Sequence, residues 1–79
     1  MQLSALLSKI DFFSAEERHK ILKAWRHCEK HGHINGFEAP KEIRQLVGDV
    51  ADAINLRIDP GQRIEARKEV GKTLNSKIQ

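Results

Sequence analysis

The stretch from Ile43 to Ile54 constrains the fold more than any other. Ile43, Leu46, Val47, Val50, Ala51 and Ile54 recur at three- and four-residue steps, while Arg44, Gln45, Asp49, Asp52 and Asn55 occupy the positions between them. That period puts every apolar side chain on one face of an α-helix and would scatter them over both faces of a strand. The same period recurs on either side. Leu3, Leu6, Leu7 and Ile10 form a short leucine face, which Phe13 extends if the helix continues that far. Ile21, Ala24, Trp25 and Cys28, with Leu22 at the shoulder, form another, and Lys23, Arg26 and Lys30 lie opposite. No segment alternates with period two. The expectation is an all-α fold, a small four-helix bundle-like single domain over residues 1–79 with short loops.

Local chemistry sets the boundaries. Ser14 and Glu17 have the spacing of a capping box, so a helix begins at residue 15. Gly32 suits the left-handed position that closes it, and Asn35-Gly36 supplies a turn. Pro40 fits the first position of the next helix, where no amide is missed. Asp59-Pro60 reads as an N-cap followed by proline, opening the last one. The expected helices are about 2–13, 15–31, 40–56 and 60–78.

The last helix conflicts with its own pattern. On a helical wheel Ile64, Val70, Gly71, Leu74 and Ile78 share an arc, and Arg63 and Arg67 fall inside it. An arginine in an apolar arc must snorkel, find a carboxylate or meet another molecule, because an unpaired buried charge is strongly unfavourable. Gly71 inside a helix costs about 1 kcal/mol relative to alanine, which suggests close approach of another helix.

Charge narrows the partners. The net charge is +3, and residues 1–56 carry equal numbers of each sign. The excess therefore lies in Arg57, Arg63, Arg67, Lys68, Lys72 and Lys77, interleaved with Asp59, Glu65 and Glu69. Such a segment suits an acidic protein surface or nucleic acid, although the interleaved acids argue against a dedicated phosphate-binding stripe. The single cysteine excludes an intrachain disulfide framework and fits a reducing compartment. No apolar run approaches the roughly 18 residues that a membrane span needs, and Lys9 interrupts the N-terminal stretch, unlike a secretory signal. A cytoplasmic protein is expected.

Chemistry finds little support. His27 and His31 stand at i, i+4 and are the candidate metal ligands of the chain, with Cys28 and His33 beside them. Cys28, however, falls on the apolar side with Ile21 and Trp25, His33 would have to fold back from the turn, and no second Cys/His pair follows. No metal and no cofactor are expected. There is no phosphate loop or nucleophile motif, and a thiol on an apolar face is a poor nucleophile. An enzyme is not expected.

What remains is binding. The leading expectation is a non-enzymatic regulator, adaptor or inhibitor that meets a protein partner, or a second copy of itself as a homodimer, through a helical surface. Its partner-binding candidates are Arg63, Arg67, Lys68 and Lys72 on the last helix, with Phe12 and Phe37. Phe12 points away from the leucine face and Phe37 falls in a loop, so either, if exposed, would make an anchor. The alternative is a DNA-binding regulator using the basic last helix, with Lys20, Lys23, Arg26 and Lys30 as a second, phosphate-facing row.

Overall fold

A computed structural model describes residues 3–78. It contains four α-helices, with no strand among the described residues: α1 (Leu3–Ser8), α2 (Ala15–His31), α3 (Lys41–Arg57) and α4 (Arg63–Ile78). The first helix is shorter than its leucine spacing suggests. It tightens after Ser8 into a 3-10 turn, Lys9–Phe12, so Phe12 and Phe13 leave the helical wheel. Residue 2, where the sequence reading began this helix, lies outside the described residues.

Sequence chemistry accounts for most helix ends. The Ser14 hydroxyl accepts from the Glu17 amide at 3.2 Å, and the Ser14 amide donates to the Glu17 carboxylate at 3.1 Å, completing the capping box. Gly32 closes α2 at φ 81°, its amide donating to Cys28 O. Pro40 stands one position before α3 rather than as its first residue. Asp59 precedes a 3-10 turn, Pro60–Gln62, but its side chain makes no capping bond. Proline's fixed φ, rather than the carboxylate, opens this segment.

The stripe of α3 supplies the centre of the core: Ile43, Leu46, Val47, Val50, Ala51 and Ile54 are all buried. Around it pack Leu6 and Ile10 from the first segment, Ile21, Ala24, Trp25 and Cys28 from α2, and Val70 and Leu74 from α4. Ile34, in the connection after α2, is also buried. Trp25 is fully buried, and its indole N–H donates to Arg67 O at 3.1 Å, which ties α2 to α4. A buried indole N–H left without an acceptor would cost about 1–3 kcal/mol, so this bond fixes the register of the two helices.

Two connections set the topology. The Asn55 amide near the end of α3 donates to Gly32 O at the end of α2, and Phe13, just before α2, lines a cleft with Lys41 and Glu42 at the start of α3. α2 and α3 therefore run in the same direction, and residues 32–40 return along α2 to join them. This return is anchored: Asn35 O lies 3.2 Å from His27 Nε2, and Arg44 donates to Phe37 O. The α3–α4 connection is short and makes α4 antiparallel to α2. Gly32 meets Arg67 near the start of α4, and Asp11, before α2, meets Lys77 near its end. Gly71 is the close approach expected from its composition, since a Cβ there would reach the Glu29 carboxylate and Trp25 Cδ1.

Candidate interaction surfaces

Arg63 and Arg67 solve the conflict in α4 without carboxylates. Both are half-buried and both face the ends of neighbouring helices. Arg63 Nε donates to Ile58 O, at the end of α3, over 3.0 Å. Arg67 lays its guanidinium on the C-terminus of α2, with Nη1 3.4 Å from where a Cβ on Gly32 would stand. The last carbonyls of a helix carry partial negative charge, so a cation there is favourable. The fit of Arg67 is incomplete: its Nε is buried without a hydrogen-bond partner. The same guanidinium draws the Cys28 thiol toward ionisation, but burial outweighs it and, helped by Asp52, pushes the thiol up to about 11. Cys28 is thus a packing residue at neutral pH.

Lys68 and Lys72 stand on the exposed side of α4 and pair with Glu65 at 3.7 Å and Glu69 at 3.6 Å. Ile64, assigned by the wheel to the apolar arc, is 57% exposed. It sits a turn before the point where α2 covers α4, so periodicity alone places it wrongly. Phe37 is half-buried against the core, its ring 5.3 Å from that of His27. Leu56, at the end of α3, is also exposed.

Phe12 is the most exposed large apolar side chain of the described residues, at 89%. Its backbone, in contrast, is fixed on both sides. Arg18 reaches back from α2 and donates to Phe13 O at 3.0 Å through Nε and to Asp11 O at 3.5 Å through Nη2. The Asp11 carboxylate holds Lys77 of α4 at 3.3 Å, and the Phe13 amide closes the 3-10 turn onto Ile10 O. Ser14 is locked by the capping box, and its hydrogen bonds hold the Glu17 carboxyl below the usual carboxylate range. The turn thus presents an aromatic ring to solvent on a braced backbone. An open cleft of about 320 Å³ adjoins the same turn, lined by Lys9, Phe13, Glu42 and Leu46 among others.

The six residues singled out by sequence do not converge. Phe12 lies at the end of the bundle where α4 finishes, Arg63 and Arg67 lie toward the other end, and Phe37 lies on the flank of α2. The bracing role of Arg18 has no sequence signature, because it depends on backbone carbonyls exposed by a 3-10 turn that periodicity reads as helix.

The three histidines near the end of α2 are also brought together. The rings of His27 and His31 are 4.4 Å apart, and His33, turned back by the left-handed Gly32, lies 6.4 Å and 6.1 Å from them. As placed, no group of three His, Cys, Asp or Glu among the described residues could hold a metal ion. No described helix is long and apolar enough to cross a membrane. Comparison with protein-family models, with curated proteins and with solved structures yields no match.

Proposed function

We propose that this chain is a non-enzymatic binding module that engages a protein partner through the turn carrying Phe12. The observation that supports this reading is the contrast at that turn. The side chain is almost wholly exposed, while Arg18, Asp11–Lys77 and the Ser14 cap brace the backbone around it. An aromatic anchor held in place before binding avoids much of the ordering cost of association. Leaving it in water has no benefit for folding. The neighbouring cleft, lined by Phe13 and Leu46 together with Lys9, Lys41, Glu42 and Asp49, suits a partner offering an apolar side chain flanked by polar groups of both signs.

A protein partner accounts for the basic helix better than nucleic acid does. Lys68 and Lys72 have part of their charge answered by Glu65 and Glu69, and Arg63 and Arg67 are directed at helix ends of their own chain. That leaves few α4 cations for phosphates, whereas duplex binding depends on several such contacts.

A photo-crosslinking phenylalanine analogue tests the proposal when placed at position 12 and, separately, at Leu56, which is also exposed but lies at the opposite end of the bundle. The expected result is one defined protein adduct from position 12 and none from position 56. Equal labelling from both, or none from position 12, overturns it. Retention on heparin with steep salt dependence would instead favour the DNA-binding alternative.

A further inference from the structure

The histidine cluster at the end of α2 is independent of the Phe12 turn, and no part of the binding proposal uses it. Sequence alone argues against a metal here, because Cys28 falls on the apolar side, no second Cys/His pair follows and His33 would have to fold back from the turn. It does fold back. Gly32, at φ 81°, reverses the chain immediately after α2 and sets the His33 ring within 6.4 Å of both helical imidazoles. Two nitrogen ligands bound to one tetrahedral ion hold their rings roughly 5 Å apart, centre to centre. The observed separations of 4.4, 6.1 and 6.4 Å straddle that value.

The tautomer of His27 also fits. Asn35 O, 3.2 Å from Nε2, can only accept, so Nε2 carries the proton and the Nδ1 lone pair is left for another partner. An imidazole whose second nitrogen donates to a backbone carbonyl is the usual arrangement of a metal-bound histidine. The Phe37 ring lies beside this imidazole, 5.3 Å away centre to centre. His31 and His33 are exposed.

The geometry points to a binding site for one borderline divalent transition-metal ion, of the zinc, nickel or copper class, formed by His27, His31 and His33. As the described residues stand, no group of three such side chains could hold an ion, so binding requires the two exposed rings to rotate toward His27, with water completing the shell. Cys28, buried on the core side of α2, takes no part. A bound ion links α2 to the returning segment, so it favours the folded chain over the unfolded one.

The test uses the full chain with no added histidines, titrated calorimetrically with ZnCl2 and with NiCl2 near pH 7.5. Binding of one ion per chain is expected, with a rise in melting temperature that chelator reverses. His31→Gln and His33→Gln should each weaken binding by at least about tenfold, since a ligand matters no less than its outer-shell partners. Both side chains are exposed, so both variants should melt like the parent without metal. His19→Gln, elsewhere on α2, should bind normally. Affinity unchanged in either cluster variant, or no binding by the parent chain, overturns the site.

Discussion

Reversing the charge of Arg67 isolates how α4 tolerates an arginine in its apolar arc. The guanidinium rests on Gly32, the residue that ends α2. A partly buried cation at a helix C-terminus contributes up to about 2 kcal/mol, and more commonly about 1 kcal/mol. Arg67→Met keeps an apolar stem and removes the charge. It also removes the buried, unpartnered Nε, whose desolvation costs about 1–3 kcal/mol. The two effects oppose each other, so the methionine variant should lie within about 1 kcal/mol of the parent. Arg67→Glu places an anion on the negative helix end and should fall a further 1–2 kcal/mol or so below methionine. At about 4–8 °C per kcal/mol for a domain of this size, that separates the two melting curves clearly. Urea and thermal unfolding followed by circular dichroism, with Trp25 fluorescence as a second probe, would measure it. If the glutamate and methionine variants melt together, the guanidinium is not interacting with the end of α2.

Three other outcomes follow from single contacts. Gly71→Ala should stabilise the fold by up to about 1 kcal/mol, because the new Cβ meets Trp25 at an ordinary 3.5 Å and displaces only the flexible end of Glu29, whereas Gly71→Leu should lose about 1–3 kcal/mol by overpacking; thermal melts compare the pair. Ser14→Ala should cost about 1 kcal/mol at neutral pH. The Glu17 carboxyl is held below its ordinary value in the folded chain, so its contribution is complete above the unfolded carboxylate value and disappears as pH falls through the folded one. Parent and Glu17→Gln melting curves should therefore converge in acid, whereas the Ser14→Ala gap should persist, since the bond from the Glu17 amide to the Ser14 hydroxyl does not titrate; a Glu17→Gln gap that remains at about pH 2 would contradict the cap assignment. Cys28, buried and with its thiol pushed up to about 11, should resist alkylation at about pH 8 until the chain unfolds; rapid labelling of the native protein would show that α2 opens locally.

The sequence makes the helices legible wherever apolar period and end chemistry agree. α2 begins after the Ser14–Glu17 box and ends at Gly32 as those residues require, and the α3 stripe is buried throughout. Legibility fails where tertiary contact decides. Ile64 shares an arc with Val70 and Leu74 but lies where no helix covers that side of α4, and Ile34, between two polar turn residues, is buried only because the connection returns along the bundle. The parallel course of α2 and α3 is likewise hidden, since a nine-residue link is long enough to reverse or to return. Phe12, expected in the first helix, and Phe37, expected in a loop, are both candidate anchors in sequence; the 3-10 turn sends one outward, and the anchored return segment lays the other on His27. The histidine spacing is plain in sequence, but the sign of φ at Gly32 determines whether the third ring joins the first two.

The most direct test of the binding account measures Phe12→Ala twice, once for stability and once for affinity toward the crosslinked partner. Truncating an exposed side chain should move stability by no more than about 0.5 kcal/mol. The loss of an anchor of at least about 2 kcal/mol should weaken the complex roughly thirtyfold. An affinity that survives the substitution, or one that falls only in step with melting, would contradict the account.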